Sequence, residues 1–235
     1  MAESTTIQIN FGKPMPIFPL DSVALLPQQV LSLHIFEPRY RQMVEHALDG
    51  SGQFAMATFS GSSWKQNYHG RPSVRPAVCI GHILEHEKTP DGNYNLALHG
   101  LKRARILYEM PPSITHLYRE AMLEPVGEDE PDPEALQPVR DQLDEMFSHT
   151  PLKHLRAARP FLQYLHNEQV PTAVILDLIA FKLLSDRELR YTLLSESDTS
   201  TRTSLILKEL QTLRALIERA QAQHPERWPR GCSWN

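Results

Sequence analysis

The chain has 235 residues, of which 41% are hydrophobic and 22% charged, and its formal net charge is −4. This balance is typical of a globular protein, and the negative charge argues against broad electrostatic binding of nucleic acid or an anionic membrane. No run approaches the roughly 18 apolar residues of a membrane span, and residues 1–10 lack the basic start and apolar run of a signal peptide. The cytoplasm is therefore the expected compartment, with no membrane partner.

Residues 30–36 are the first strongly patterned segment, with the sequence Val-Leu-Ser-Leu-His-Ile-Phe. Leu31, Leu33 and Ile35 alternate with the other positions, and this period of two predicts a strand with one apolar face. The strand is expected to place these three side chains against a core.

A helix is predicted to begin near Pro38, because proline suits the first helical turn, where its missing N–H has no partner anyway. Glu37 places negative charge at the positive end of the helix dipole. Asp49-Gly50 supplies the stop. The spacing of the apolar residues predicts one buried stripe, formed by Tyr40, Met43, Val44, Ala47 and Leu48.

The first half of the chain reads as β-rich, because short runs of β-branched and aromatic residues alternate with Gly and Pro turns. Pro90-Asp91-Gly92 lies between two such runs and predicts a tight hairpin, since proline presets φ and glycine accepts a positive φ. The predicted strands cover residues 17–20, 30–36, 54–59, 78–87, 94–99, 103–108 and 117–126.

The second half has helical periodicity, and an acidic segment with two prolines at residues 127–133 predicts an exposed linker before it. Pro160 is expected to break or kink the second helix, and Ser185 to Glu188 fit a capping box. Helices are predicted at residues 134–147, 152–166, 172–184, from 185 onward, and 199–221. The expected organisation is a β-rich domain at 12–126, a helical bundle at 134–222 and a tail at 223–235.

Two β segments resemble one known family. Residues 31–41, Leu-Ser-Leu-His-Ile-Phe-Glu-Pro-Arg-Tyr-Arg, are similar to the signature of the Lon N-terminal domain, the substrate-binding module of Lon proteases. The pattern of residues 81–106, with its Pro-Asp-Gly-Asn-Tyr turn followed by Leu-Ala-Leu-His-Gly, resembles the same domain. A weaker likeness in the helices extends the resemblance to about residues 14–220.

The resemblance implies an α+β fold, in which a PUA-like β-barrel with an embedded helix precedes a C-terminal helical bundle. It also implies a non-catalytic module that binds unfolded or exposed protein segments, as an adaptor or a chaperone-like holder, without a cofactor or metal. The sequence contains no Gly-x-x-x-x-Gly-Lys-Ser/Thr phosphate loop and leaves no room for a protease domain after the helices, so no enzyme is expected. The oligomeric state is left open.

Four residues are candidates for the peptide-binding surface. Arg39 and Tyr40 follow the strand-to-helix corner, and Trp64 and Tyr68 lie in a loop rich in Gly and Ser. Long loops with aromatic side chains are often functional, and the expected mechanism is hydrophobic capture of apolar or aromatic segments in a concave surface. Packing and helix capping are the alternative roles for Arg39 and Tyr40.

A zinc hydrolase is one rival hypothesis, because His82, Glu85 and His86 match the inverted zinc-peptidase motif H-x-x-E-H. That motif needs a helix, where its two histidines share one face. The surrounding pattern instead favours a strand, on which the two rings would lie roughly 13 Å apart, too far to share a metal.

RNA binding is the second rival, because PUA-like barrels include RNA binders and Lys102, Arg103 and Arg105 lie close to Tyr108. Arginines beside a stacking surface are the ingredients of an RNA site. The negative net charge favours a solvated strand face instead.

Two further features have mainly structural interpretations. Cys79 lies in an apolar strand, where burial is expected to keep its thiol unreactive. Trp228 and Trp234 lie in the tail, where folding back onto the protein is favoured over a free aromatic surface.

Overall fold

The structure is a computed structural model, and it describes residues 7–21, 23–127 and 133–223. Its contacts divide the chain into two compact units. The first unit consists of the described residues up to Gly127 together with Asp186–Ser197, and the second consists of the described residues of Glu128–Ser185 and Asp198–Asn235. The division into domains at residues 12–126 and 134–222 stays a prediction from the sequence.

Six strands form the sheet of the first unit. They are β1 (Met15–Leu20), β2 (Val30–Ile35), β3 (Gln53–Thr58), β4 (Ala77–Lys88), β5 (Tyr94–Glu109) and β6 (Arg119–Pro125).

Five of the strands close a ring. In the order β1, β3, β4, β5 and β6 each strand pairs with the next, and β6 pairs again with β1, while β2 extends the sheet from β5. Only β1 and β3 are parallel among the named pairs. The mixed α+β fold predicted from the sequence is therefore present.

Two facing glycines allow the long strands β4 and β5 to bend. Gly81 pairs with Gly100, beside a shift in register after Ile80. A Cβ atom on Gly100 would lie 2.3 Å from the carbonyl oxygen of Leu26, and one on Gly81 would lie 2.6 Å from the Leu98 side chain. Any larger residue would push these segments apart, so the ring depends on glycine at both positions.

Small and β-branched side chains fill the interior of the ring, because the space inside a small barrel is narrow. Cys79, on β4, is fully buried as expected. The interior cluster contains Met15, Ile17, Ala55, Ala57, Val78, Ile80, Ala104, Ala121 and Leu123.

Helix α1 (Pro38–Leu48) begins and ends as predicted, with Pro38 in its first turn. Its stripe is buried at Tyr40, Met43, Val44 and Ala47, and the ring of Tyr40 meets that of Phe18 edge-on at 4.6 Å. The side chain of the N-cap residue Glu37 accepts no capping hydrogen bond and bonds to Arg39 and Tyr68 instead.

The second unit contains α2 (Gln137–His149), α3 (Ala158–Leu165), α4 (Thr172–Leu183) and α6 (Thr199–Ala222). The helix predicted at residues 152–166 is interrupted, as expected, but the break lies before Pro160, between a 3₁₀ turn (Pro151–His154) and α3. Pro160 lies in the first turn of α3, where a missing N–H breaks no helical hydrogen bond. Arg140 joins α2 to the segment between α3 and α4 by donating to the carbonyl oxygens of Tyr164, Leu165, Asn167 and Val170 and to the Thr172 hydroxyl.

Helix α5 (Arg187–Ser195) belongs to the first unit, although helices of the second unit flank it in the chain. Its buried residues are Tyr191, Leu193 and Leu194. The capping box predicted from Ser185 is wrong in register, since Asp186 is the N-cap and its carboxylate accepts from the Leu189 N–H.

Among the described residues, no helix has the length and apolar character needed to cross a bilayer. Most of the predicted linker lies outside the described part of the chain, as do Trp228 and Trp234 of the tail.

Candidate functional site

Arg39 is held between two tyrosine rings at the start of α1. Its guanidinium carbon lies 4.6 Å from the ring centre of Tyr40 and 4.9 Å from that of Tyr68. Its Nε donates to Glu37 at 3.1 Å, and its Nη1 donates to the backbone oxygen of Tyr68 at 3.3 Å. Cation–π contacts and an ion pair thus fix this side chain from several directions.

Trp64 and Tyr68 form the exposed side of the same cluster. Trp64 stacks on Phe59 with ring centres 4.9 Å apart and an angle of 8° between the planes, and Tyr68 lies 5.9 Å from Trp64. The phenol of Tyr68 donates to Glu37. We call Trp64, Tyr68 and the buried Phe59 beneath them the aromatic surface.

The structure therefore brings all four predicted binding residues together, but in two layers. Trp64 and Tyr68 are half-buried, so each presents part of its ring to solvent. Tyr40 is only 4% exposed and the Arg39 side chain 18% exposed, so these two residues support the layer above them.

The tyrosines of this cluster stay neutral at physiological pH. Burial, followed by the hydrogen bond to Glu37, raises the pKa of Tyr68, and burial raises the pKa of Tyr40. The charges of Glu37 and Arg39 offset each other, so the cluster offers an aromatic face without net charge.

A cavity of about 510 Å³ lies in the first unit beside the N-terminus of α5. It opens where the parallel strands β1 and β3 end, at Leu20 and Thr58. Charged and hydroxyl side chains form much of its wall, among them Asp21, Thr58, Ser60, Arg75, Arg187 and Glu188.

Arg75 anchors α5 at this cavity. Its Nη1 donates to both carboxylate oxygens of Glu188, at 3.0 and 2.9 Å, and its guanidinium carbon lies 3.3 Å from the ring centre of Tyr191. The Tyr191 hydroxyl accepts from the N–H of Ala77 at 2.9 Å. These contacts join α5 to β4 through groups 113 and 114 residues apart in the chain. Sequence reasoning missed the cavity, because no local pattern links such distant residues.

The zinc hypothesis is wrong, since His82, Glu85 and His86 lie on strand β4 and not on the helix that the motif requires. His82 pairs with His99 and His86 with Leu96. Positions 96 and 99 of a regular strand point to opposite faces, so the two histidines cannot converge on one ion. The described residues contain no group of three or more metal-ligating side chains.

The basic residues of the RNA hypothesis do not form one exposed patch. Arg103 is 7% exposed, and its Nε donates to the backbone oxygen of Leu193 in α5 at 3.1 Å. Arg105 lies 3.8 Å from Glu124, which offsets its charge. Tyr108 is exposed, so this strand offers a solvated face with a partly neutralised charge.

Comparison with protein families matches residues 14–212 to the ATP-dependent protease La (LON) substrate-binding domain. Among solved structures, a Lon N-terminal domain protein from Xanthomonas campestris is similar at 21% identity with a TM-score of 0.61, covering 83% of this chain and 98% of that one. The N-terminal domain of a Mycobacterium avium complex Lon protease is similar at 15% identity with a TM-score of 0.64, covering 85% and 98%. A search of curated proteins found no match. The two structural likenesses show that the fold is shared.

Proposed function

The chain belongs to the LON substrate-binding domain family, and on that premise we propose that it binds exposed segments of other polypeptides without acting on them chemically. Such a module functions by binding alone, as an adaptor or a chaperone-like holder. The family supports the class of partner, and the geometry of the first unit suggests where the partner binds.

The aromatic surface is the observation that carries this proposal. Trp64 lies in a short 3₁₀ helix (Ser63–Gln66) and Tyr68 in the loop after it. Both rings pack on Phe59, and the hydroxyl of Tyr68 also donates to Glu37. Aromatic side chains supply a large contact area and lose little conformational entropy on binding. Because these rings are already held in place, binding a partner loses less conformational entropy than binding through mobile side chains would.

The chemistry of the surface suits apolar or aromatic segments of unfolded chains. The ring faces are apolar, while the phenol of Tyr68 and the indole N–H of Trp64 are polar groups that orient a peptide. Arg39 stacks on the inner face of Tyr68 and keeps the ring from turning away. Arg39 and Tyr40 thus act as positioning residues, and Trp64 and Tyr68 as contact residues.

The test is binding of a fluorescently labelled, permanently unfolded protein, measured by anisotropy with the full chain. The double variant W64A/Y68A is expected to weaken binding by about tenfold or more, because truncating aromatic anchors typically costs 2 kcal/mol or more. Circular dichroism and the urea midpoint check that this double variant is folded.

Tyr164→Ala is the matched control, since Tyr164 is an aromatic residue 43% exposed on α3 in the second unit. This variant is expected to bind as the parent protein does. An equal loss in the control and the double variant would contradict a role for the aromatic surface, and so would unchanged binding in the double variant.

A further inference from the structure

Strand β2 is an edge of the sheet, since it pairs with β5 on one side and with no other strand among the described residues. Its register with β5 shows which backbone groups face outward. Gly100 donates its N–H to the carbonyl oxygen of Gln29, the residue opposite it, at 2.8 Å. Hydrogen-bonded and non-hydrogen-bonded pairs alternate along an antiparallel ladder, so every second residue from Leu31 onward bonds to β5. The N–H and C=O groups that point away from β5 belong to Val30, Ser32 and His34.

The opposite edge of the same part of the sheet is protected, whereas β2 is not. Strand β4 has no register with β3 beyond His82, and its end carries a register shift and the charged residues Glu85, Glu87 and Lys88. Charges and bulges are devices by which proteins keep a sheet edge from pairing with another chain. Strand β2 contains no Lys, Arg, Asp, Glu or Pro, and its register with β5 runs without a shift. One edge is thus left open to an added strand.

The open edge is accessible to solvent. Val30 is 49% exposed, and Ser32 and His34 are exposed as well. On the other face of β2, Leu31 and Leu33 are only half-buried. A strand placed beside β2 would cover the remaining apolar surface of these two leucines.

The surroundings of the edge favour a particular kind of segment. A cavity of about 500 Å³ adjoins β2, and its wall includes Ser32, His34, Glu85 and Glu87. The two carboxylates favour a neutral or basic side chain over an acidic one. Since the side chains of a strand alternate between its two faces, the segment fits when one set is apolar and the other is neutral or basic.

A second copy of the chain suits this edge less well than an unfolded chain does. A single strand of six residues falls short of the roughly 20–30 residues per side of a stable interface. A weak and reversible contact suits an unfolded chain, which offers many segments in turn.

We infer that β2 binds an extended polypeptide segment as an added strand, hydrogen-bonded to the backbone of Val30, Ser32 and His34. Alternate apolar side chains of the segment pack on Leu31 and Leu33. This inference rests on the proposed function, because it takes an unfolded polypeptide as the partner and adds backbone pairing to the contacts of the aromatic surface.

The test uses the full chain and a labelled peptide in which valine and lysine alternate, so that no aromatic residue engages the aromatic surface. Two further peptides have the same sequence with N-methyl groups either on all valines or on all lysines. Successive N–H groups of a strand point to opposite edges, so only one methylated set faces β2. One methylated peptide is expected to bind as the parent peptide does, and the other about tenfold more weakly or worse, because it loses several hydrogen bonds. The methylated set that binds identifies a parallel or an antiparallel arrangement.

Ser32→Pro is the matching change in the protein, because it removes an outward N–H that the pairing with β5 does not use. It is expected to weaken binding of the parent peptide about tenfold. Ser32→Thr keeps the N–H and is expected to bind as the unaltered protein does. Far-UV circular dichroism checks the fold of both variants, and the methylated peptides decide the question on the unaltered protein if Ser32→Pro does not fold.

Absence of peptide binding, or equal binding of the two methylated peptides, would overturn the inference, as would unchanged binding in a folded Ser32→Pro. A dimer that Ser32→Pro dissociates would also overturn it, because the edge would then belong to a second copy. If unfolded protein still bound through Trp64 and Tyr68 in these cases, the proposed function would stand without the added strand.

Discussion

The aromatic surface and the cavity beside α5 use arginine in different ways. Arg39 is stacked between two rings and bonded to Glu37, and Arg75 is likewise stacked on Tyr191 and bonded to Glu188. Arg187 has no such partner among the described residues. The first two arginines hold secondary structure elements together, and the third is an exposed side chain at the first residue of α5.

The surroundings of a charged residue therefore decide its role more than its prominence in the sequence does. The guanidinium of Arg39 has its faces covered by Tyr40 and Tyr68 and its edge bonded to Glu37. Exchanging those contacts for a ligand would require the cluster to open. A ligand at the aromatic surface therefore meets aromatic rings and not the charge of Arg39.

Among the variants that test this comparison, the largest change in stability is expected for a substitution of Tyr40. Tyr40→Ala removes a buried ring that contacts Phe18 and Arg39, and it is expected to lower the free energy of unfolding by about 3–5 kcal/mol. Urea unfolding followed by circular dichroism measures this loss. The result would place Tyr40 among the residues that build the site.

Tyr40→Phe is the control for that variant. The phenol of Tyr40 has no hydrogen-bond partner among the described residues, so the change is expected to alter the free energy of unfolding by less than about 1 kcal/mol. If Tyr40→Ala kept its stability and lost only client binding, the division into supporting and contacting layers would be wrong.

The strand-to-helix corner could be predicted from sequence because its causes are local. The alternation of Leu31, Leu33 and Ile35 predicts one face of a strand. Pro38 predicts the start of a helix, because it lacks an N–H. Two residues of the aromatic surface could also be predicted, since Trp64 and Tyr68 are large aromatic residues in a segment rich in Gly and Ser. The contact of Tyr68 with Arg39, and that of Trp64 with Phe59 and Tyr68, needed the structure.

The cavity could not be predicted, because its residues come from strand ends and a helix that are far apart in the chain. Periodicity shows that one face of α5 is buried, but it does not show what the face packs against. Glu188 illustrates the limit, since its spacing from Ser185 suggests a capping box, while in the structure its carboxylate is bonded to Arg75. Long-range ion pairs leave no local signal.

A smaller effect is expected at Thr58, and it tests whether a buried hydroxyl without a hydrogen-bond partner lowers the stability of the first unit. Thr58→Val replaces a buried, unpartnered hydroxyl with a methyl group of similar shape, and it is expected to stabilise the first unit by about 1 kcal/mol. Thermal unfolding measures this effect.

Thr172→Val provides a control of opposite sign. Thr172 is also buried, but its hydroxyl accepts from Arg140 at 3.1 Å, so its loss leaves a donor unsatisfied. This variant is expected to destabilise the second unit by about 1 kcal/mol. Destabilisation by both variants would mean that the Thr58 hydroxyl has a hydrogen-bond partner in the folded protein.

The smallest effect is expected in alkaline solution and concerns the aromatic surface alone. The pKa of Tyr68 is raised above the ordinary value of 10.0, first by burial and then by its hydrogen bond to Glu37. Because the folded protein favours the neutral phenol, this contribution to stability is complete below pH 10 and is lost as the pH rises through the raised pKa. Absorbance at the tyrosinate band is expected to show a late-titrating contribution, beside those of the buried Tyr40 and Tyr118, that disappears in Tyr68→Phe. Titration of Tyr68 at the ordinary pH would mean that its bond to Glu37 does not hold the ring, and the rigidity assigned to the aromatic surface would have to come from Phe59 and Arg39 alone.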